Sequence, residues 1–391
     1  MTCGSFVDVV DDHCLQTCLR NSSSGKHEVK SVRLRFVPIK CSIPRFPSVW
    51  ESGRTWTQPW RQRNSSQLGI LSACGNKGDV AIVWLRRELR LHDNIALVEA
   101  ARSYRRILPL FIYENVSMTH QKQKGENSKS CILSEDLLYE DLSQEPHLLE
   151  ICLMDLRKQL QQLGSNLLVI ISDDAVGSLL ELITNTRAQG LYFYNSVFAK
   201  ERRQELELKR RLEAFSSSVN IFTFWTNTLH PFDKLVSKNT IPLEDCDQFG
   251  KYVHDWEIPK DIPSPEYLKP FPYDKLANNK YRVDHDIILS HKRELPSSCL
   301  FVTEREALNR LTEFVSIQTS GWIQHYPDEA MIDTKYGRMN PYLSFGCISM
   351  RTIFRRVLES IPHSLRRYCV EMDLIFREFL MFRYFQTAEL E

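Results

Sequence analysis

The stretch from Val80 to Tyr113, VAIVWLRRELRLHDNIALVEAARSYRRILPLFIY, decides the fold of this chain. It begins with an unbroken apolar run, Val80–Leu85, and ends with a second one, Ile107–Tyr113. Neither run alternates with polar residues, which is typical of parallel strands that are buried on both faces. The segment between them, from Asn94 to about Tyr104, has the pattern of a helix. Strand, helix and strand at this spacing predict a βαβ unit.

The same alternation continues as far as Trp225. Further strands are predicted at Asn166–Ser172, Leu191–Tyr194 and Val219–Trp225, and helices at 148–163, 175–189 and 200–214. Gly164 and Gly190 follow two of these helices, where a left-handed cap usually lies. Five strands with intervening helices predict a doubly wound, Rossmann-like α/β domain over residues 79–225. Right-handed crossovers give its parallel sheet the order 3-2-1-4-5, and we expect its first three strands to be central and buried.

Two further regions follow the α/β domain. Residues 226–300 are rich in proline, which predicts an irregular connector. Helical periodicity over 301–391 predicts part of an all-helical domain, truncated at Glu391, with helices at 306–314, 349–359 and 363–385. The last helix is apolar on nearly all sides. We therefore expect residues 364–391 to self-associate or to bind a partner protein.

Residues 1–78 differ in composition from the rest of the chain. They are basic, contain many serines and few acids, and show no periodicity that could bury one face. One interpretation is a disordered extension, and the other is an organelle-targeting presequence. Acidic residues at Asp8, Asp11 and Asp12 count against a presequence. Nucleus, cytoplasm, mitochondrion and chloroplast therefore all stay open as locations.

Charge and cysteine content exclude some classes of function. A net charge of +1 favours neither a nucleic-acid surface nor a membrane surface. No apolar run approaches the roughly 20 residues that a membrane-spanning helix needs. The eleven scattered cysteines favour reduced thiols in an intracellular protein. His13, Cys14 and Cys18 are not followed by a second pair at zinc spacing, so we expect no metal site.

Three motifs carry a resemblance to a known family. WLRRELRLHDNIAL at 84–97 resembles the opening signature of the cryptochrome/photolyase family. KYGRMNPYLSFGCIS at 335–349 and DLIFREFLMFRYF at 373–385 are similar to the start of that family's flavin-binding helical domain. There, a Thr-Ser-Arg/Lys-Leu-Ser-Pro-Tyr-Leu segment and a Glu-Leu-Ile-Trp-Arg-Glu-Phe helix recur. The motifs occur in the family's order, and the resemblance covers about residues 79–391. By this resemblance the chain is identified as a member of the family.

The resemblance implies a flavoprotein that contains FAD. Such a protein either repairs pyrimidine dimers in DNA with blue light or signals in response to blue light. The alternatives are a non-catalytic light-signalling or interaction protein, and an inactive truncated isoform without flavin. Segments that complete the flavin pocket in the family have no counterpart before Glu391. We therefore expect weak FAD binding by this chain, because ligand affinity depends on enclosure.

The resemblance also implies site residues, although it assigns no catalytic residue. Those that match the segment around the flavin phosphates are Tyr336, Gly337, Arg338, Met339 and Asn340. A cation and an amide donor are kept, but the two hydroxyls of the family's Thr-Ser pair are lost. The alternative interpretation of this segment is a helix-entry turn without a ligand.

The helix at 363–385 provides the other side of the implied site. Asp373, Phe376, Arg377 and Leu380 share one face by their spacing. In the family this face meets the flavin and the flipped-out dimer, so Arg377 matches a cofactor residue and Asp373 and Phe376 match substrate residues. Phe376 replaces a Trp and Leu380 replaces a Tyr. The alternative is a purely structural face in which Asp373 and Arg377 pair with each other.

Two further features bear on the resemblance. By family precedent, the charged turn at 86–93 is an internally ion-paired structural turn, and Asp93 is placed to cap the helix that begins at Asn94. The antenna chromophore of the family, a folate or a deazaflavin, lies against the α/β domain. In the DASH-type branch a Glu precedes the cysteine that matches Cys152, whereas Ile151 stands there in this chain. The match to an antenna site is therefore incomplete.

Overall fold

A computed structural model describes residues 78–114, 146–214, 219–225, 227–236, 245–276, 302–319, 339–362 and 365–387. All of them belong to one compact unit of the chain, 68–391. The predictions for residues 1–77 and for Tyr336, Gly337 and Arg338 lie outside the described residues.

A five-stranded parallel sheet forms the centre of the α/β part. Its strands are β1 (Gly78–Leu85), β2 (Tyr104–Tyr113), β3 (Leu168–Ile171), β4 (Gly190–Tyr194) and β5 (Asn220–Phe224). Their order is β3-β2-β1-β4-β5, which confirms the predicted topology. The expectation that all of the first three strands are central was wrong for β3. It lies at the sheet edge, where Ile171 is 51% exposed.

Four helices cover the sheet: α1 (Ile95–Ser103), α2 (Pro146–Gln162), α3 (Ala175–Thr186) and α4 (Ala199–Ala214). Alternate residues of β1 enter two separate cores. Ala81 and Val83 pack with α1, α2 and the C-terminal helices, and Ile82 packs with α3 and α4. The apolar run of β1 therefore results from burial on both faces.

Two predicted caps differ in the structure. Asn94, not Asp93, caps α1, because the Asn94 side chain accepts a hydrogen bond from the backbone N–H of Leu97. Gly190 does not end α3. The helix ends at a left-handed Arg187, and Gly190 lies in β4, where an added Cβ would be 2.5 Å from the ring of Tyr104.

The rest of the described chain is helical or irregular. It contains α5 (Phe232–Val236), α6 (Cys246–Val253), α7 (Tyr273–Leu276), α8 (Glu304–Thr319), α9 (Asn340–Ser344), α10 (Met350–Ser360) and α11 (Leu365–Thr387). Short helices thus interrupt the predicted connector, and the predicted C-terminal helices are present.

The apolar helix α11 is covered from within the chain. Its Phe382 is 3% exposed and lies against the rings of Phe232 and Phe249, at centroid distances of 6.4 and 5.8 Å. Phe385 is 5% exposed and meets Trp225 at 5.9 Å. In the described part of α11, the exposed apolar surface on which we based self-association through 364–391 is therefore not present, because Phe232 and Phe249 of the connector cover it.

Candidate functional site

The charged turn after β1 is joined by ion pairs to α4. Arg86 Nη2 lies 2.6 Å from Glu205 Oε1, and Arg87 Nε lies 2.8 Å from Glu201 Oε1. Burial alone would raise the pKa of Glu201, but the nearby guanidinium groups of Arg87 and Arg86 lower it to about 2. Burial raises the pKa of Glu88, which accepts hydrogen bonds from the backbone of the same turn. Glu201 therefore stays ionised in this network.

Arg90 is the most deeply buried cation of the turn, with no exposed surface. Its Nη1 donates to Asn227 Oδ1 at 3.0 Å and to the carbonyl of Gly346 at 2.8 Å, and its Nε donates to the carbonyl of His92 at 3.1 Å. The guanidinium group thus joins three segments that are distant in sequence. Its role in the structure is to satisfy buried acceptors.

His92 and Asp93 extend this junction to two more helices. His92 Nδ1 lies 2.5 Å from Glu304 Oε1 at the start of α8. Asp93, which has no exposed surface, accepts two hydrogen bonds from Arg351 on α10, at 3.0 and 3.1 Å. The turn is ion-paired as predicted, but the prediction that the pairing is internal was wrong, because the partners lie on α4, α8 and α10.

A hydrogen bond joins the two segments that resemble a flavin-binding domain. Arg377 on α11 donates from Nη1 to Asn340 Oδ1 on α9 at 3.1 Å. Arg377 is 9% exposed, whereas Asn340 is half-buried. Met339 has no exposed surface, and its side chain packs in the hydrophobic core. Of the predicted phosphate-side residues that the structure describes, Asn340 and Arg377 are brought together.

The remaining predicted residues of α11 differ in exposure. Asp373 and Leu380 are each 8% exposed, and Leu380 belongs to the same core as the sheet face that contains Val83. Phe376 is half-buried, with its ring 6.5 Å from that of Phe379. The face therefore combines core side chains with an aromatic ring that is accessible in part.

One buried pair near this face was not predicted. Glu378 on α11 has no exposed surface and accepts from His230, at 2.8 Å from the backbone N and 2.5 Å from Nδ1. It fixes the connector to α11 one residue after Arg377. The position of Glu378 directly before the apolar run Phe379–Phe382 was the available signal, because a fully buried carboxylate needs a partner.

A small cleft lies at the carboxyl ends of β1 and β4, where the chain order reverses. Arg86, Tyr194, Phe198, Trp225 and Met381 are among its lining residues. Ligands of doubly wound folds bind in this position. Here the ion pairs of the turn with α4 occupy much of the same edge.

A metal-binding cluster and a membrane-spanning helix are both absent from the part of the chain that the structure describes. It contains no cluster of three or more His, Cys, Asp or Glu side chains that could hold a metal ion. None of its helices has the length and hydropathy to cross a membrane.

Known proteins resemble this chain in sequence. Residues 81–267 match a family model described as DNA photolyase. The "Blue-light photoreceptor PHR2" of Arabidopsis thaliana is 26% identical over 293 residues, which cover 73% of this chain and 62% of the relative. The chain thus spans about three-fifths of the length of this relative.

Solved structures show the same fold. A class III photolyase from Agrobacterium tumefaciens superposes with a TM-score of 0.60 at 20% identity, over 82% of this chain and 61% of that one. An archaeal photolyase from Sulfolobus tokodaii, described with two FAD molecules, gives a TM-score of 0.54 at 18% identity, over 80% and 60%. At this identity the likeness concerns the fold alone.

Proposed function

We propose, from the premise that this chain belongs to the cryptochrome/photolyase family, that it is a blue-light-responsive protein that binds FAD at Asn340 and Arg377. The observation that carries the proposal is the hydrogen bond between these two residues. It joins α9 and α11, which are the two segments that resemble the family's flavin-binding domain.

The donors at this point suit the pyrophosphate of a flavin dinucleotide. A guanidinium group has only donors, so it faces the amide oxygen of Asn340 and leaves the amide N–H groups directed away from Arg377. A phosphate oxygen can accept from those N–H groups, and the charge of Arg377 favours an anion nearby. When bound, FAD supplies light absorption and electron transfer. In this proposal Asn340 and Arg377 hold its phosphates.

Photorepair of DNA is a second candidate, favoured by the partial exposure of Phe376. An aromatic ring on the same face as Asp373 could stack on a flipped-out pyrimidine dimer. Blue irradiation of the FAD-loaded protein with dimer-containing DNA separates the two. Loss of dimers favours repair, whereas flavin photoreduction without loss of dimers favours light sensing.

The Asn340→Asp variant tests the proposed phosphate contact. A carboxylate at this position would pair with Arg377 and so keep the contact between α9 and α11, but it would repel a phosphate. We expect the dissociation constant for FAD, measured by quenching of flavin fluorescence on titration with protein, to rise tenfold or more, which corresponds to about 1.4 kcal/mol.

A matched control is Asn220→Asp, which introduces the same charge at the start of β5. FAD affinity should stay within twofold of that of the unchanged chain. If the unchanged chain does not quench flavin fluorescence, or if both variants bind FAD equally well, the proposed site is wrong.

A further inference from the structure

Two cysteines that are distant in sequence meet in the core of the fold. Cys152 lies on α2 and Cys347 in the turn after α9, 195 residues later, and their Sγ atoms are 3.3 Å apart. Both thiols are free, with exposed fractions of 1% and 0%. The light-driven function proposed above uses neither. We propose that Cys152 and Cys347 form a reversible intramolecular disulfide under oxidising conditions, and that the pair is a redox modification site.

The thiols are already in hydrogen-bond contact. The S–H of Cys347 is directed at the carbonyl oxygen of Val302, at 3.9 Å. In the contact between the two sulfurs, either thiol can be the donor. A disulfide needs a sulfur–sulfur distance of about 2.0 Å, so the two sulfurs must approach by little more than ~1 Å.

Backbone hydrogen bonds around Cys347 hold this residue in its position beside Cys152. Its N–H donates to the carbonyl of Tyr342 at 2.8 Å, and two residues earlier the carbonyl of Phe345 accepts from the backbone N–H of Leu89 at 3.3 Å. Arg90 holds the carbonyl of Gly346. The turn that contains Cys347 is thus attached to the turn after β1, on the side where α2 packs.

The reaction is slow, because the reactive form of a thiol is the thiolate. The hydrogen bond with Cys347, followed by burial, raises the pKa of Cys152 well above its usual value. Both sulfurs are also shielded from solvent, so an oxidant reaches them only through a local opening. We expect the bond to form over minutes to hours, and to persist once formed because reductants are excluded in the same way.

Hydrogen peroxide is a sufficient oxidant. One thiolate attacks a peroxide oxygen, forms a sulfenic acid and releases water. The second sulfur then attacks the sulfenic sulfur, the S–S bond forms and a second water leaves. In total, two thiols lose two electrons and two protons, and one peroxide becomes two waters. A dithiol reductant reverses the step.

The disulfide would connect α2, which covers the sheet, to the turn that follows α9. A link between residues so distant in sequence restricts the unfolded chain strongly. We therefore expect oxidation to raise the midpoint of thermal unfolding by about 5 °C or more.

Peptide mapping of the full chain tests the proposal. The folded protein is treated with hydrogen peroxide overnight, unfolded in the presence of iodoacetamide and digested without reductant. We expect a linked pair of peptides that contains Cys152 and Cys347, the higher unfolding midpoint, and the loss of both after dithiothreitol. Recovery of the two cysteines as separate alkylated peptides, or in links to other cysteines, overturns the proposal.

Two variants assign the change in the unfolding midpoint. Cys152→Ala should abolish the peroxide-dependent rise. Cys369→Ala, which removes a half-buried thiol on α11, should retain it. If Cys152→Ala does not fold, the linked peptide in the unchanged chain decides alone. A rise that persists in folded Cys152→Ala contradicts the assignment.

Discussion

Gly346 shows, at the scale of one residue, how closely two distant parts of the chain approach. Its φ angle is +69°, a conformation that side chains rarely adopt. A Cβ at this position would also overlap the backbone carbonyl of Arg87. The turn after α9 can therefore lie against the turn after β1 only because residue 346 has no side chain.

We predict that Gly346→Ala lowers the free energy of unfolding by about 3 kcal/mol or more, from backbone strain and overpacking together. Urea unfolding followed by circular dichroism measures the change. Gly250→Ala is the control, because the nearest atom to its added Cβ is Ile375 Cγ2 at 3.9 Å. In the interior of α6 it should stabilise by roughly 0.5–1 kcal/mol. Equal effects of the two substitutions would contradict this account of Gly346.

Single buried polar residues were the hardest to predict from the sequence. Asp93 looked like a helix cap, yet it pairs with Arg351, 258 residues later. Glu378 pairs with His230 across 148 residues. A local pattern states which residues need a partner, but the partner's identity depends on how distant segments pack. For the same reason, the resemblance named Asn340 and Arg377 separately, and their contact appeared only in the folded chain.

At the scale of elements, the ion pairs between the turn after β1 and α4 make stability depend on pH. The pKa of Glu201 is lowered to about 2 from a usual value near 4.5. Its ionised form therefore stabilises the fold above about pH 4.5, and this contribution is lost as the pH falls towards 2.

The Glu201→Gln variant removes this contribution. We predict that it is less stable than the unchanged chain at pH 6, and that the difference becomes smaller at pH 3, in urea unfolding at both values. Glu99→Gln is the control, because Glu99 pairs with Arg102, whose side chain is 66% exposed. Its effect should stay below about 0.5 kcal/mol at both pH values. A difference for Glu201→Gln that does not change with pH would show that its charge has no such role.

The sequence predicted elements better than it predicted their ends or their neighbours. Unalternating apolar runs identified β1 and β2, because residues buried on both faces leave a continuous apolar pattern. The predicted end of α3 was wrong, because Arg187 adopts the left-handed conformation that we assigned to Gly190. The expectation that α11 is exposed was wrong, because the packing of a proline-rich segment cannot be predicted from periodicity. The isolated aromatic residues of such a segment can still cover a helix.

At the scale of the whole molecule, α11 is part of the shared core and not an appendage. Phe382 and Phe385 pack against Trp225, Phe232 and Phe249, so the connector and α11 stabilise each other. Removal of either the connector or α11 would expose the aromatic side chains of the other to solvent, and the free energy gained from their burial would be lost.

We predict that deletion of residues 363–391 lowers solubility and increases binding of a hydrophobic dye, because it exposes the aromatic side chains of the connector. Sedimentation and dye fluorescence measure the two effects. A chain that ends at Thr387 keeps α11 and is the control, which should behave like the unchanged chain. A deletion that is monomeric and binds no dye would mean that the connector does not depend on α11.

The junction around Arg90 has a consequence for synthesis on the ribosome. β1 is the central strand, yet two partners of the turn that follows it are Gly346 and Arg351, 256 and 258 residues after the residues they bind. At about 5–20 residues per second, those partners emerge roughly 13–50 s after the strand itself. During that interval Arg90 and Asp93 have no native partner among the C-terminal helices. A nascent chain of this protein therefore spends tens of seconds with its central strand incompletely packed, and we expect chaperones to bind it in that period.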